Sequence, residues 1–497
     1  MTMSTTPGPP AVLPRLGLAT LDRLPRAQRP LVDPRELAPR VVHFGLGAFH
    51  RAHQAVYTEV AAAGTGEPWG IVDVEPFAQA AVSAMRAQDC LYSVTDRAPG
   101  ALTTRVVGAV TDALGLVPDA PRVDALLISP GTTVVTLTVT EKGYYRRGGT
   151  GSLDVTAPPV AADLAATASD GPIGTVVGRL AAGLLARHRA GGAPLTVVSC
   201  DNMAGNGPAL ATVVRGFVEA SAWPDRERLL AWMDGAVTFP ATIVDRIVPA
   251  TTAEDRDLAS AALGLRDEMA VLGEPYRQWV LEDAFVSDRP RWELGGALLV
   301  PDVAPYQLTK LRLLNGSHSA MAYLGLAAGC TTVAEVLTTA WGEDLVRRLG
   351  AEVAPTLPEA APDPVAYVDE LVQRFRNPAM RHLLRQIGSD GSLKIPERWL
   401  SSLRELRSAG AATPVLELAL AAWAVATRTD GAGGQVFGTL DPAARSLAAC
   451  WQGTAGDAAR VSALLRTVGA DDLAGSDDLT AAVAARIPGV LAGRVEV

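Results

Sequence analysis

The sequence predicts an α/β domain with a parallel sheet, followed by a mostly α-helical domain. Three observations support this: a glycine turn after a short apolar strand near residue 45, further apolar strands that end in polar side chains, and Ala/Leu-rich helical periods after Tyr306. At 497 residues the chain exceeds the usual size of one domain. We expect a loose Pro- and Arg-rich arm over residues 1–38, an α/β domain over 39–290 and a helical domain over 291–497.

Composition excludes several classes of protein. The net charge of −9 argues against a nucleic-acid partner and against an anionic membrane surface. No window of uninterrupted apolar residues is long enough to span a bilayer, and the first 40 residues lack the apolar core of a secretory signal. The four cysteines are far apart without a CxxC pair, so neither a zinc site nor a disulfide framework is indicated. We therefore expect a cytoplasmic protein without a metal.

The stretch from Arg40 to Gln54 has the pattern of a short strand, a glycine turn and the start of a helix. This is how a dinucleotide-binding fold begins: Gly45 would make the turn, and Gly47 would let a pyrophosphate approach the backbone. His50 occupies the place of the third glycine in the G-x-G-x-x-G pattern. A plain strand-turn-helix is the alternative.

The second strand, residues 69–75, ends in two carboxylates, Asp73 and Glu75. An acid at this position holds the adenosine ribose and repels a 2′-phosphate, which favours NAD over NADP. A loop carboxylate without a ligand is the alternative. The candidate cofactor-binding residues are Gly45, Gly47, Phe49, His50, Asp73, Glu75 and Thr138.

Polar side chains follow two further predicted strands. The β-branched run over residues 132–140 precedes Lys142, and the strand over 194–200 precedes Asn202. The carboxyl ends of parallel strands form the edge at which open α/β sheets bind ligands, so we expect a site there. Another strand ends in Asp245 and Arg246, for which a structural ion pair is the alternative.

The stretch around Lys310 contains the side chains best suited to acid–base chemistry. Lys310, Asn315 and His318 are spaced i, i+5 and i+8, which places them within about 140° of one another on a helix. Together they could move a proton to or from a carbinol without a metal. The chain has 44 Lys and Arg residues but only three lysines, and a desolvated lysine, unlike arginine, titrates near neutrality. The alternative is a lysine on a surface helix.

Four motifs occur in order along the chain. They are Gly45-x-Gly47-x-Phe-His-Arg-Ala-His-Gln, Ser199-Cys-Asp-Asn202, Phe239-x3-Ile-Val-Asp-Arg-Ile-x-Pro249 and Lys310-Leu-Arg-x-Leu-Asn-Gly-Ser-His318. Together they resemble the polyol-specific long-chain dehydrogenases, also called the mannitol dehydrogenase family. The resemblance extends from about residue 40 to the C-terminus. It implies a Rossmann-like NAD-binding domain, a mostly α-helical C-terminal domain and catalysis without zinc.

The resemblance also implies roles for individual residues. Lys310 matches the general base of the family, and Asn202 and Asn315 match its oxyanion donors. His318 matches a substrate-binding histidine, and Asp245 matches an aspartate at the substrate. The family includes monomers and larger forms, so the oligomeric state stays open.

Three local features look more like the fructuronate-reducing members of the family than the mannitol-oxidising ones. They are Lys142, Arg277 before Gln-Trp-Val, and Ser319 after His318. A cation facing the site could bind the carboxylate of a sugar acid, and arginine could do so with two parallel hydrogen bonds. The alternatives are a surface role for Lys142 and pairing of Arg277 with Glu274 or Glu282.

Lys394, within residues 390–396, is a further candidate for contact with the substrate. Leu393 replaces the commoner Gln of that motif. The expected reaction is the NAD-dependent interconversion of D-fructuronate and D-mannonate, both small molecules. The alternatives are a polyol dehydrogenase of the mannitol 2-dehydrogenase type and a non-catalytic NAD-binding regulator.

Overall fold

The computed structural model describes residues 13–169, 171–380, 382–429, 434–452 and 456–497. It divides into two compact units, residues 1–303 and residues 304–497. The strands of the described residues all belong to the first unit. They are β1 (Ala38–Phe44), β2 (Trp69–Glu75), β3 (Tyr92–Ala98), β4 (Ala101–Val107), β5 (Val110–Gly115), β6 (Val134–Leu137), β7 (Leu195–Ser199), β8 (Val237–Thr238), β9 (Thr242–Asp245), β10 (Val271–Gly273), β11 (Gln278–Glu282) and β12 (Leu298–Val300).

The central sheet has six strands in the order β5-β2-β1-β6-β7-β8, and every neighbouring pair is parallel. The order reverses beside β1, as in doubly wound sheets that bind nucleotides at this point. β6 and β7 are buried along their whole length. Helices cover both faces of such a sheet, which explains why these strands are continuous apolar runs. The predicted Rossmann-like α/β fold is confirmed.

Two smaller sheets complete the strands of the first unit. One has the order β10-β3-β4, and the other has the order β12-β11-β9. The predicted strand after residue 237 is in fact two strands: β8 ends the central sheet, whereas β9 pairs antiparallel with β11. This pairing sets Asp245 opposite Gln278, and so brings it close to Arg277.

Helices surround these sheets. The α-helices of the first unit are α1 (Ala48–Ala52), α2 (Gln54–Thr65), α3 (Gln79–Ala87), α4 (Ala120–Ile128), α5 (Pro158–Ala166), α6 (Val176–Arg189), α7 (Asn206–Ala220), α8 (Arg226–Ala236) and α9 (Ala253–Leu263). Its 3₁₀ helices are Leu18–Arg23, Arg26–Gln28, Pro34–Glu36, Glu141–Tyr144 and Trp292–Gly295. Side-chain caps define several starts: the Thr175 hydroxyl accepts a hydrogen bond from the Gly178 N–H at the start of α6 (3.0 Å).

The second unit is helical throughout its described residues, which confirms the predicted C-terminal fold. Its α-helices are α10 (Ala304–Thr309), α11 (Gly316–Ala327), α12 (Val333–Thr338), α13 (Gly342–Val353), α14 (Pro364–Phe375), α15 (Leu384–Gly388), α16 (Gly391–Ile395), α17 (Ser401–Ser408), α18 (Pro414–Ala426), α19 (Ala444–Gln452), α20 (Asp457–Thr467), α21 (Asp471–Ala474) and α22 (Asp477–Leu491). Residues Ala354–Thr356 form a 3₁₀ helix, and Lys310–Asn315 and Pro396–Leu400 form π-helices.

α18 lies at the centre of the second unit. Nearly all of its side chains are buried, and it packs against α11, α13 and α22. A helix that is apolar on every side must lie inside other helices, so its sequence explains its place. No helix in the described ranges is both long and apolar enough to cross a lipid bilayer.

The N-terminal segment corrects one expectation. Residues 1–12 lie outside the described part, but from residue 13 onward the segment is packed rather than loose. Leu16 and Leu24 are buried in a small apolar cluster, and the Leu16 N–H donates to the Arg266 carbonyl (2.9 Å). The segment uses short 3₁₀ turns, which have no α-helical or strand periodicity, so its apolar spacing did not predict packing.

His53 is a buried, neutral side chain at the break between α1 and α2. Its Nε2–H donates to the Gln278 carbonyl (2.8 Å), and its ring packs against Phe49, Tyr57 and Trp279. Burial lowers the pKa of His53 to about 3. Because an unfolded histidine has a pKa of about 6.5, the unfolded chain binds a proton here that the folded chain does not.

We predict that His53 makes the protein less stable in mild acid. Its contribution is complete above about pH 6.5 and falls by about 1.4 kcal/mol per pH unit below it, or about 2 kcal/mol at pH 5. Unfolding by urea at pH 7 and pH 5 should show this loss in the wild type and a smaller loss in His53→Gln. Tyr57→Phe is the control, since it alters the same ring cluster but should keep the wild-type pH dependence. An equal loss in His53→Gln and the wild type would refute the prediction.

Candidate active site

The glycine loop after β1 has space for a ligand. Gly45 has φ +116°, and a Cβ there would lie 2.4 Å from the Thr138 carbonyl oxygen, so the fold itself requires glycine. At Gly47 a Cβ would meet no protein atom within 4 Å. The fold places no such demand on Gly47, and the open space beside its backbone fits the close approach of a pyrophosphate.

Glu75 lies beside this loop at the end of β2. Its Oε2 accepts a hydrogen bond from the Leu46 N–H (3.1 Å), and its Oε1 accepts from the N–H groups of Phe77 (2.9 Å) and Ala78 (3.0 Å). Three backbone donors therefore fix a half-buried carboxylate next to the glycine turn. This is the position of the acid that holds an adenosine ribose in dinucleotide-binding folds.

Asp73 and His50 lie underneath the loop rather than on its surface. Both side chains are fully buried, and His50 Nε2 is 3.0 Å from Asp73 Oδ1. The His50 ring stacks on His43 with a centroid distance of 3.4 Å. Neither side chain has a surface to offer a ligand, which corrects the expectation of direct cofactor contact for both. They join β1, β2 and α1 beneath the loop.

Phe49 and Thr138, two further cofactor candidates, are both half-buried near the carboxyl ends of β1 and β6. The Phe49 ring stacks on His53 with a centroid distance of 4.9 Å. The Thr138 hydroxyl lies 2.8 Å from His43 Nε2, and the backbone carbonyl of Thr138 packs directly against Gly45. They shape the glycine turn from either side.

Asp201 joins the loops that follow β6 and β7. It accepts hydrogen bonds from the Thr140 N–H (2.7 Å), the Val139 N–H (3.3 Å) and the Tyr144 hydroxyl (2.7 Å). Burial raises the pKa of Asp201 and of Tyr144. Sequence reasoning missed these two residues as organisers of the site, although Asp201 directly precedes the candidate Asn202.

The two carboxamides after β7 have different environments. Asn206 is buried: its Nδ2 donates to the carbonyls of Asp201 (3.0 Å) and Thr242 (3.1 Å), and its Oδ1 accepts from backbone N–H groups. Asn202 is exposed at the carboxyl edge of the sheet. Lys142 is also exposed, on the 3₁₀ helix after β6.

Asp245 and Arg246 do not form the ion pair considered from the sequence. Asp245 is buried at the end of β9. The Arg246 guanidinium instead pairs with Asp96 and donates to the carbonyls of Ala52 and Glu274. Arg246 therefore has a structural role, and it joins α1 to the small sheets.

Arg277 lies directly before β11, with its guanidinium 5.2 Å from the centre of the Tyr57 ring. No described carboxylate is within ion-pairing distance of it, so the expected alternative of pairing with Glu274 or Glu282 is not observed. Those two carboxylates accept hydrogen bonds from the backbone N–H groups of Ile247 and Ala241 (both 2.8 Å). Arg277 Nε is buried and has no hydrogen-bond partner.

In the second unit, Lys310 and Asn315 are the first and last residues of a π-helix between α10 and α11. A π-helix bonds residue i to residue i+5, so Asn315 lies one turn above Lys310. Such turns are rare in proteins, and those that occur are often found at functional sites. The Lys310 side chain is 9% exposed. The carboxamide of Asn315 makes no hydrogen bond to a residue that the structure describes.

His318 lies one turn further along, on α11. It is 8% exposed, and its ring packs against Phe375 and His382 with centroid distances of 4.7 and 4.9 Å. Burial lowers its pKa well below the usual value, and neighbouring cations, among them Arg374, lower it further. The imidazole is therefore neutral at neutral pH. Its buried Nε2 has no hydrogen-bond partner in the structure, which fits contact with a substrate hydroxyl.

Lys394 is held within its own turn. Its Nζ donates to the carbonyls of Ser389 (2.6 Å) and Ile387 (3.3 Å), and burial lowers its pKa. These bonds account for much of its donor capacity. No group of three His, Cys, Asp or Glu side chains that could hold a metal ion occurs in the described part of the chain.

Comparison with known proteins identifies both units. The family model of the mannitol dehydrogenase Rossmann domain matches residues 39–294, and that of the mannitol dehydrogenase C-terminal domain matches residues 302–490. D-mannonate oxidoreductase of Escherichia coli (strain K12) is 38% identical over 92% of this chain and 94% of its own.

Two solved structures are similar along almost the whole chain. One is mannitol 2-dehydrogenase of Pseudomonas fluorescens in ternary complex with NAD and D-mannitol, with a TM-score of 0.77, 32% identity and 96% coverage of both chains. The other is a D-sorbitol dehydrogenase in substrate-free form, with a TM-score of 0.86 and 30% identity, covering 97% of this chain and 100% of that one. The chain therefore belongs to the mannitol dehydrogenase family.

Proposed function

We propose that this chain is an NAD-dependent, metal-independent oxidoreductase that reversibly reduces D-fructuronate to D-mannonate. The observation that carries the proposal is the π-helical turn that brings together a buried amine, a carboxamide without a described partner and an imidazole with an unpartnered Nε2. These are the groups of Lys310, Asn315 and His318. An imidazole nitrogen and a carboxamide that have no protein partner cost free energy, so these two groups beside the buried amine indicate a ligand.

The residues of the first unit fit NAD. The open backbone at Gly47 receives the pyrophosphate, and Glu75, aligned by three N–H donors, binds the adenosine ribose. The negative charge of Glu75 opposes a 2′-phosphate, which favours NAD over NADP. When bound, the cofactor supplies or accepts the hydride.

The side chains supply the proton and stabilise charge. In reduction, Lys310 gives a proton to the carbonyl oxygen, and in oxidation it takes the proton from the hydroxyl. Asn202 and Asn315 donate hydrogen bonds to the developing alkoxide, an effect worth roughly 3–4 kcal/mol per donor in comparable sites. Neutral His318 orients the reacting hydroxyl, and Asp245 binds the substrate.

Cations around His318 favour a sugar acid over a neutral sugar. After burial itself, the groups that lower its pKa most are His382, Arg374, Arg398 and Lys310, and the two arginines among them are permanent cations. Such surroundings stabilise an anionic substrate. The similar D-mannonate oxidoreductase is named for a sugar acid and supports the same choice.

Two other functions remain candidates. The similar structure with bound NAD and D-mannitol favours a mannitol 2-dehydrogenase as the second candidate. A non-catalytic NAD-binding regulator explains the chain less well, because it would not need a buried amine beside unpartnered polar groups. Of the cations first assigned to the carboxylate, Lys142 is exposed, whereas Arg277 has no carboxylate partner among the described residues.

The direct test is NADH oxidation with D-fructuronate and D-fructose at matched concentrations. We expect kcat/KM for D-fructuronate to be at least about a hundredfold higher, because a desolvated cation needs the carboxylate as its partner. An EDTA-treated sample should keep its activity. Preference for D-fructose would make the enzyme a mannitol 2-dehydrogenase. If neither a ketose nor a ketouronate is reduced, the result would support the non-catalytic regulator.

We predict that Lys310→Ala lowers kcat about a thousandfold, because the acid–base group is lost. NADH affinity, measured by fluorescence titration, should stay nearly unchanged. Lys310→Arg is the matched variant: it keeps the positive charge but cannot exchange a proton near neutrality, so it should be almost as slow. Loss of NADH binding with turnover retained would remove Lys310 from this role.

We predict that Glu75→Gln weakens discrimination against NADPH. Removing the charge takes away repulsion of the 2′-phosphate, so the ratio of kcat/KM for NADH to that for NADPH should fall about tenfold or more. Asp73→Asn is the control: Asp73 is buried, so this change can affect stability but should leave the ratio as it is. An unchanged ratio in Glu75→Gln would contradict the assignment.

A further inference from the structure

The second π-helix, Pro396–Leu400, is directly bonded to the start of α11. Pro396 has no N–H, so the α-helical bonding pattern cannot continue through it. Two consecutive side chains then reach α11 and the residue before it. Arg398 Nη1 donates to the Ser319 hydroxyl (2.8 Å) and to the Asn315 carbonyl (3.3 Å), and Trp399 Nε1 donates to the Gly316 carbonyl (3.1 Å).

Arg398 has no counter-ion within the described ranges. The side chain is half-buried, yet no carboxylate of a described residue lies within ion-pairing distance of it. Neighbouring arginines of the same unit differ: Arg312 pairs with Glu405, and Arg404 pairs with Asp472 (both 2.6 Å). The protein therefore leaves the charge of Arg398 to be balanced by solvent or by an anionic ligand.

The guanidinium also has a free edge. Nη1 makes two hydrogen bonds, whereas Nε and Nη2 make none to a described residue. Neither atom is among the buried ones that lack a partner, so both are accessible. Nε and Nη2 point in parallel from one edge of the guanidinium plane. That edge matches the two oxygens of a carboxylate.

Resting on the proposed function, we propose that Arg398 binds the carboxylate of the sugar acid through Nε and Nη2, and that Ser319 holds it in place. Ser319 was one of the features that looked like fructuronate-reducing members, and the structure gives it a partner. An apolar side chain in place of Ser319 could not accept the hydrogen bond from Nη1. Arg398 and Ser319 thus form one specificity-determining pair beside Asn315.

Arg277 is less suited to the same task. Its guanidinium lies over the Tyr57 ring, and Arg277 belongs to the first unit, so it is not anchored to the turn that carries Asn315. Arg398 offers the complete edge and is anchored to the same turn as Asn315.

The proposal predicts a specific kinetic effect. In D-fructuronate the carboxylate is at the opposite end of the six-carbon chain from the ketone, so its binding is nearly the same in the ground state and the transition state. Removing such a contact raises KM more than it lowers kcat. For a neutral ketose, which has no carboxylate, kcat and KM should hardly change.

The test measures kcat and KM for D-fructuronate and for D-fructose in five variants, one of which, Arg277→Gln, tests the competing arginine. Arg398→Gln should lose about a hundredfold in kcat/KM for D-fructuronate, mostly through KM, and less than about threefold for D-fructose. Arg398→Lys should recover part of the loss, because it restores the charge but not the paired donors. Ser319→Ala should lose about five- to tenfold for D-fructuronate alone. Arg404→Gln, which removes an ion-paired arginine of α17, is the control and should match the wild type.

Melting temperature and NADH titration establish that each variant is folded. An equal loss for both substrates in Arg398→Gln would mean that Arg398 only supports the helix, and would overturn the proposal. Loss of the D-fructuronate preference in Arg277→Gln but not in Arg398→Gln would overturn it in favour of Arg277. If the wild type itself reduces D-fructose but not D-fructuronate, the proposed function fails first. If the wild type prefers D-fructuronate and Arg398→Gln keeps that preference, only the role of Arg398 fails.

Discussion

Burial of both faces of the central parallel sheet is the constraint on which the first unit depends. β6 and β7 have no exposed residue, so polar side chains are excluded from these strands unless they find partners inside. The groups that stay accessible gather at the carboxyl edge, where Glu75 ends β2 and Asn202 follows β7. Asp201 then fixes the edge, because its bonds to Thr140 and Tyr144 hold two loops together. The packing of the sheet thus decides where a ligand can bind.

The second unit meets a related constraint with a different device. Its helices need backbone hydrogen bonds, yet Lys310–Asn315 and Pro396–Leu400 depart from the α-helical pattern. The side chains of Arg398 and Trp399 connect these two π-helices by donating hydrogen bonds to the carbonyls of Asn315 and Gly316. Irregular turns re-aim side chains that a regular helix would point elsewhere. The cost is limited, because the side-chain donors satisfy the carbonyls of Asn315 and Gly316.

The sequence was sufficient for the fold because its signals were local and physical. Buried strands are continuous apolar runs, and Gly45 marks a turn that no other residue could make. It was insufficient where one side chain could have two roles. Asp73 and Glu75 both lie at the end of β2, and only the structure shows that Asp73 is buried against His50 whereas Glu75 lies beside the loop. The packing of the residues from 13 onward was not predicted, because short 3₁₀ turns give no clear periodicity of apolar residues. Arg398 was not predicted because its lack of a counter-ion depends on which residues lie near it in space, and the sequence does not show that.

The empty space beside Gly47 separates two kinds of selection. Gly45 is required by the fold, since a Cβ there would strike the backbone at Thr138, whereas a Cβ at Gly47 would meet no protein atom within 4 Å. A library of variants sorted for folded protein would therefore accept alanine at residue 47 and reject it at residue 45. Under the proposed function, the same library sorted for turnover would reject alanine at both positions. Comparing the two sorts would map, residue by residue, which parts of the loop belong to the architecture and which belong to the chemistry.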